Sequence, residues 1–121
     1  VSRCNDAIEA VCGVRPRVMR LPGGGYNATV LANTHMPMIQ WNIDTLDWKT
    51  RNAQQTINSV LGQVKDGDII LMHELYGATG DASMTIIPEL TKRGFQLVTV
   101  SEMAAAKGRP LEAGKLYSSF R

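Results

Sequence analysis

Short apolar runs alternate along the chain with longer stretches in which apolar residues recur every three or four positions. The runs predict strands at residues 17–20, 38–43, 69–72 and 96–100. The amphipathic stretches predict helices at residues 1–12, 27–33, 52–64 and 83–92, and a last helix from residue 101. Because strands recur at a spacing of roughly 25 residues, which suits right-handed βαβ units, the pattern predicts an α/β fold with a parallel sheet.

Capping and breaking residues sharpen the predicted helix ends. Asn27 and Ser101 are predicted N-caps, while Gly13 and Gly94 are predicted helix stops. Pro88 is compatible with the helix at 83–92 only if it lies in the first turn, because proline has no backbone N–H to donate. Four strands are few for a parallel sheet, whose faces and edges need cover, so we expect part of a larger sheet or barrel.

Composition limits the function classes. The 121 residues suffice for one core, and 13 Lys+Arg against 11 Asp+Glu give a formal charge of +2, without the clustered basic surface of a nucleic-acid binder. No apolar run approaches the ~20 residues that a membrane-spanning helix needs. The chain begins at Val1 without an initiator Met, from which we expect a processed or excised piece of a longer protein.

The two cysteines and the tail carry less information. Cys4 and Cys12 lie on the first predicted helix, roughly 12 Å apart along its axis, which is too far for a disulfide. We therefore expect both cysteines to be small buried apolar residues, or one of them to pair with a cysteine outside the chain. Residues 108–121 contain Gly, Pro and Ser without a period, which predicts a tail lying over the surface. No linker or repeat indicates a domain boundary.

Polar residues follow three predicted strands at the same end. Arg20 closes the first strand, Asp44 and Asp47 follow the second, and His73 closes the third. Each alone has an ordinary structural explanation, as a solvated arginine, a helix-capping aspartate or a core histidine. Because the carboxyl ends of parallel strands meet on one face, where active sites are built, three such residues in register predict a site.

Three segments carry a resemblance to a known family. RLPGG (20–24), DTLDW (44–48) and IILMH (69–73) resemble, in order and spacing, the last three motifs of the polysaccharide deacetylases, carbohydrate esterase family 4 with the NodB homology domain. The segment GKLY (114–117) is similar to the end of secreted bacterial members. The resemblance implies the C-terminal part of a distorted (β/α) barrel, with residues 1–107 in the catalytic domain and residues 108–121 as its tail.

The same resemblance implies roles for individual residues. His73 would be the acid that protonates the leaving amine, and Asp47 would orient it and keep it charged. Arg20 would pair with a catalytic aspartate outside this chain, because its planar guanidinium suits a carboxylate. Trp48 and Leu71 would wall a small apolar pocket for the acetyl methyl group. Asp44 is then left as a structural cap.

The glycine-rich segment supplies further substrate-binding candidates. Pro22 and Gly23 belong to the motif, and the backbone N–H of Gly23 would help to hold the oxyanion at a position where many family members have Tyr. Tyr26, beside the glycines, is a candidate to face the substrate. A phosphate cradle is a poorer interpretation of the glycine run, because no Gly-Lys-Ser/Thr follows. Trp41, among apolar residues, is interpreted as core.

The metal-binding half of the family pattern is absent from this sequence. The family's Asp-Asp and His-x-x-x-His motifs do not occur, and His35 is a single imidazole in a predicted turn. A hydrolytic metal needs three protein ligands and an open position. The resemblance thus implies Zn²⁺ or another divalent metal held by residues outside this chain, in the N-terminal half of the same domain, on the same or a second chain.

Two functions remain open at this point. The first is metal-dependent hydrolysis of N-acetyl groups from N-acetylglucosamine polymers, with peptidoglycan ahead of chitin-type oligomers and acetylated xylan, in an extracellular or cell-wall location. The second is a non-catalytic carbohydrate-binding or structural remnant that lacks the metal half. The coexistence of an acid, its orienting aspartate and an arginine favours the first.

Overall fold

The computed structural model describes residues 1–121, which divide into two compact units. The first unit comprises residues 1–40 and 110–117, and the second comprises residues 41–109 and 118–121. The sequence predicts no such division. The difference arises where the predicted strand at 38–43 separates into two short strands that pair in different sheets.

Six helices and four short strands make up the chain. They are α1 (Ser2–Cys12), α2 (Ala28–Asn33), β1 (Met38–Ile39), β2 (Ile43–Asp44), α3 (Asp47–Thr50), α4 (Ala53–Leu61), β3 (Ile70–Leu71), α5 (Gly77–Lys92), α6 (Val100–Ala106) and β4 (Leu116–Tyr117). Both strand pairs, β1 with β4 and β2 with β3, are parallel. The helix and strand content with parallel pairing confirms the predicted α/β class. None of the helices is long and apolar enough to cross a membrane.

In the first unit, β1 is the strand with which the other extended segments pair. The predicted strand at 17–20 is reduced to one parallel bridge between Met19 and Met38. Helix α2 begins as predicted, with the Asn27 side chain accepting a hydrogen bond from the Val30 N–H at 2.9 Å. The tail differs from the expectation of an irregular surface segment: β4 pairs with β1, and Tyr117 is buried. The division of a catalytic domain from its tail at residue 107 stays a prediction.

Helix α1 ends as predicted but faces a different environment. Gly13 takes a left-handed conformation at φ 75°, and its N–H donates to the Glu9 carbonyl. Only Asn5 is buried in this helix. The expectation that Cys4 and Cys12 are buried is wrong, because both are exposed free thiols.

In the second unit, α4 packs on α5 and forms the main apolar core. Helix α4 is capped by Asn52, whose side chain accepts from the Gln55 N–H at 3.0 Å. The fully buried members of the core are Val60, Ala82, Ile86 and Leu90, and the partly buried ones around them include Ile57, Leu61, Val64, Ile70, Met72 and Phe95. Strand β3 thereby packs Ile70 against this helix pair.

Two predictions about helix α5 are wrong. It begins at Gly77 rather than at residue 83, and Pro88 lies well inside it rather than in the first turn. The buried face runs through Thr79, Ala82, Ile86 and Leu90 at intervals of three and four residues, so packing continues along the helix in spite of the proline. One missing backbone hydrogen bond is tolerated because the rest of this face is packed.

The predicted strand at 96–100 is also wrong. These residues have no strand partner, and Leu97 and Val98 are exposed. A strand needs a neighbouring ladder for its backbone groups, and the chain provides none here. Helix α6 is capped by Thr99 rather than Ser101, in a capping box in which Thr99 and Glu102 each accept a hydrogen bond from the other's backbone N–H.

Candidate active site

The loop after β2 buries one carboxylate at the start of a short helix. Asp47 is the first residue of α3 and only 1% exposed. The turn that brings it there passes through Leu46 at φ 54°, and Arg51, the C-cap after α3, has φ 46°. Asp44 stabilises the turn, since its side chain accepts from the Leu46 N–H at 2.9 Å. It does not cap α3 as expected, because the N-cap position belongs to Leu46.

Two hydrogen bonds join Asp47 and His73. Asp47 Oδ1 lies 2.8 Å from His73 Nδ1, and Oδ2 accepts from the His73 backbone N–H at 2.6 Å. Each oxygen has a second donor: the Trp48 N–H reaches Oδ1 at 2.9 Å and the Thr79 hydroxyl reaches Oδ2 at 2.8 Å. The structure therefore brings together the predicted acid and its predicted orienting residue.

The environment of Asp47 favours its ionised form. Burial by itself raises the pKa of the carboxyl group. The hydrogen bonds from the His73 ring, the His73 backbone N–H and the Thr79 hydroxyl outweigh burial and hold the pKa of Asp47 below its usual value. The carboxylate is thus available as a pure acceptor for the imidazole.

His73 follows β3 and keeps part of its ring accessible. Its side chain is 28% exposed, in contrast to the buried Asp47. The Tyr76 ring meets it edge to face, with centroids 6.1 Å apart, and the Arg51 guanidinium lies 5.0 Å from the centroid of the Tyr76 ring. Because Asp47 occupies Nδ1, the nitrogen left for a reacting group is Nε2.

The other matched motif lies in the first unit. Arg20 is exposed and has no ion pair within the chain. Pro22 opens a 3₁₀ turn, Pro22–Gly24, in which Gly23 has φ 63°. The Gly24 carbonyl accepts from the Gln40 side chain at 2.8 Å. Tyr26 is 53% exposed.

The two predicted pocket walls differ in exposure. Trp48 is 47% exposed beside Asp47, whereas Leu71 is buried in β3, and its carbonyl accepts from the Thr45 hydroxyl at 2.8 Å. Their role as walls of an acetyl pocket stays a prediction. Trp41 is half-buried.

The residues present do not form a metal centre. No group of three or more His, Cys, Asp or Glu side chains is placed to hold a metal ion. His35, the second histidine of the chain, is exposed. The site residues that the structure does bring together are the Asp47 carboxylate and the His73 imidazole.

Thr79 is the site residue that sequence reasoning missed. It lies between the predicted strand at 69–72 and the predicted helix at 83–92, where the sequence pattern assigns no element, since Gly77 and Gly80 interrupt the helical pattern at the start of α5. Its spacing of three residues from Ala82 is the one signal that could have placed it on the buried face.

Comparison with known proteins places these observations in a family. No protein-family model matches the chain. It is 38% identical over 107 residues to the peptidoglycan-N-acetylmuramic acid deacetylase PdaC of Bacillus subtilis, covering 88% of this chain and 23% of that protein. The solved structure of PdaC superposes with a TM-score of 0.84 over 89% of this chain and 54% of that one. This chain is a homologue of the carbohydrate esterase family 4 polysaccharide deacetylases.

Two further family 4 members agree. The peptidoglycan-N-acetylglucosamine deacetylase PgdA of Listeria monocytogenes is 38% identical over 117 residues, covering 97% of this chain and 24% of that protein. The family 4 acetyl xylan esterase of Clostridium thermocellum, solved with a cobalt ion, is 29% identical with a TM-score of 0.89, over 98% of this chain and 60% of that one. The chain thus spans about a quarter of these curated relatives and somewhat over half of the solved deacetylase chains. The NodB-like fold predicted from the family 4 motifs is confirmed.

Proposed function

We propose that this chain supplies the proton donor, with its orienting carboxylate, of an enzyme that hydrolyses N-acetyl groups from N-acetylglucosamine-containing polysaccharide. The observation that carries the proposal is the pair of Asp47 and His73, joined through both the ring and the backbone of the histidine. The relatives named as peptidoglycan deacetylases support peptidoglycan as the substrate. An extracellular or cell-wall location follows from that substrate.

The geometry of the pair suits proton donation to a leaving amine. An ionised carboxylate only accepts hydrogen bonds, so Nδ1 carries the proton that it shares with Asp47. Protonation of Nε2 then makes the ring positive, and the carboxylate 2.8 Å from Nδ1 stabilises that charge. When the carbon–nitrogen bond of the amide breaks, His73 Nε2 gives its proton to the departing nitrogen.

The remaining predicted residues have supporting roles in this proposal. Arg20 is proposed to pair with a carboxylate outside the chain, since it is exposed and has no acidic partner within it. The N–H of Gly23, with Pro22 and Tyr26 beside it, is proposed to contact the acetyl group or the sugar. Trp48 and Leu71 are proposed to border the acetyl methyl.

The metal belongs to a part of the protein that this chain does not contain. We propose that Zn²⁺ or another divalent ion is bound by the N-terminal half of the same domain, on the same or a second chain, because this chain has no group of ligands that fits one. Residues 1–107 are then the C-terminal part of that catalytic domain, and residues 108–121 its tail.

A histidine exchange in the full-length protein tests the proposal. We expect His73→Ala to lower kcat by roughly 10²–10⁴-fold, the usual contribution of a positioned acid. Metal content should stay at the wild-type level, because His73 Nδ1 is bonded to Asp47 and no group of residues in this chain that could hold a metal ion includes His73. The measurements are release of free amine from peptidoglycan and from an acetylated chito-oligomer, with bound metal determined in parallel.

His35→Ala is the matched control, since His35 is exposed and lies in the other unit. It should retain wild-type kcat. Loss of metal in His73→Ala, or unchanged turnover, would contradict the assignment of His73 as the acid. Turnover of acetylated xylan but neither N-acetylated polymer would contradict the proposed substrate class.

A further inference from the structure

We propose that Thr79 is a positioning residue, which holds the Asp47 carboxylate in the orientation that aligns His73 and which thereby sets the rate of proton donation. This inference rests on the proposed function of the Asp47–His73 pair. The Thr79 hydroxyl lies 2.8 Å from Asp47 Oδ2, and the residue is 4% exposed.

The direction of this hydrogen bond is determined by the carboxylate. Asp47 is ionised and only accepts, so Thr79 Oγ1 donates its single proton to Oδ2. Oδ2 thus has two donors, the hydroxyl of Thr79 and the backbone N–H of His73. With Oδ2 held on two sides, the carboxylate cannot turn about its Cβ–Cγ bond, and Oδ1 stays at the 2.8 Å distance from His73 Nδ1.

Helix α5 holds the hydroxyl in place. Thr79 lies in the first turn of this helix, where its own N–H donates to the Tyr76 carbonyl at 3.1 Å and its carbonyl accepts from the Ser83 hydroxyl at 2.9 Å. Three residues further on, Ala82 is fully buried in the core. The position of Thr79 is therefore set by the packing of a sixteen-residue helix rather than by a loop.

Two other buried threonines show that burial alone does not create this contact. The Thr45 hydroxyl donates to the backbone carbonyl of Leu71 at 2.8 Å, so its acceptor is uncharged. Thr56, fully buried in α4, has no hydrogen-bond partner for its hydroxyl. Among these three, Thr79 alone donates to a charged side chain, and that side chain belongs to the proposed machinery.

Exchange of the hydroxyl for a methyl group tests the proposal in the full-length protein. We expect Thr79→Val to lower kcat roughly 10- to 100-fold, the range for loss of one hydrogen bond to a charged group. KM should change by less than about twofold, because the lost contact acts on proton transfer rather than on substrate binding. Thr79→Ser retains the donor and should restore kcat to within about threefold of wild type.

Thr56→Val is the matched control, because Thr56 is a buried threonine in the same unit. It should keep wild-type kcat, because its hydroxyl has no partner to lose. Circular dichroism of each variant at the assay temperature establishes that the protein is folded when kcat is measured. The ring resonances of His73 in ¹⁵N–¹H NMR provide a readout that a structural role would not move: Thr79→Val should weaken the Nδ1 proton signal, and Thr79→Ser should keep it.

The outcomes separate this inference from the proposed function. If His73→Ala lowers kcat as expected while folded Thr79→Val retains wild-type kcat, the positioning role is overturned and the acid assignment stands. The same holds if Thr79→Ser is as impaired as Thr79→Val. If His73→Ala leaves turnover unchanged, the proposed function itself fails.

Discussion

The backbone of Phe120, near the end of the chain, packs directly against Gly67. The Gly67 carbonyl accepts from the Phe120 N–H at 2.7 Å, and Phe120 is 1% exposed. A Cβ at this glycine would lie 2.4 Å from the carbonyl carbon and oxygen of Phe120, at a φ of +91° that side chains rarely adopt. Only glycine permits both the close approach and the left-handed conformation.

Gly67→Ala should therefore lower the free energy of unfolding by about 2–4 kcal/mol, from left-handed strain together with an unrelieved backbone clash. Gly94→Ala is the matched control, because Gly94 has φ +92° but a Cβ there meets nothing within 4 Å. Strain alone should cost it about 1 kcal/mol. Urea unfolding of the two variants measures the difference, and equal losses would contradict the close approach of the Phe120 backbone.

At the scale of elements, the pair of α4 and α5 supports the site. Leu90 and Val60 are buried where the two helices meet, and Thr79 lies on the same buried face of α5. A side chain that contacts the proposed machinery is thus positioned by apolar packing along the helix that carries it.

Leu90→Ala should destabilise the chain by about 2–5 kcal/mol, the cost of a cavity in a packed core. Ile87, on the same helix and 50% exposed, provides the comparison. Ile87→Ala should cost less than about 1 kcal/mol, because much of its surface already faces solvent. Thermal and urea unfolding measure both changes, and a loss for Ile87→Ala as large as that for Leu90→Ala would show that α5 packs through a different face.

For the whole molecule, two carboxylates in the second unit link stability to pH. Asp47 has its pKa lowered as described above. Burial raises the pKa of Asp68, but hydrogen bonds from Arg121, Asn42 and the Lys65 backbone N–H outweigh burial and lower it. The Asp68 side chain is 1% exposed.

Both groups have a lower pKa in the folded chain than in the unfolded one, so the unfolded chain binds protons first on acidification. Their contribution to stability is complete above the ordinary carboxyl value of about 4 and is lost as pH falls through the lowered folded values. We expect the free energy of unfolding, measured in urea between pH 7 and pH 2, to fall in this acid range.

Asp68→Asn should lower stability at pH 7 and flatten the acid slope, since one of the linked groups no longer titrates. Asp81→Asn is the control, because Asp81 is exposed on α5 and makes no hydrogen bond there. The control should keep the wild-type slope. An unchanged slope in Asp68→Asn would exclude Asp68 as one of the groups that link stability to pH.

Local chemistry made much of this protein predictable from its sequence. Asn27 caps a helix and Gly13 ends one because the required contacts lie within a few residues of each. The parallel pairing of β2 with β3 follows from the spacing of the predicted strands. Asp47 and His73 could be paired from their positions after adjacent strands, and the family motifs gave the same pairing.

Tertiary packing decided what local patterns could not. Leu97 and Val98 form an apolar run that predicts a strand, yet a strand requires a partner ladder and none is present. Helix α5 runs through Pro88 because the packing of its buried face compensates for one absent hydrogen bond. That packing depends on residues distant in sequence, so the local pattern around Pro88 could not predict it. Thr79 reaches Asp47 across 32 residues of sequence, and only the packing of that helix brings the two side chains within 2.8 Å.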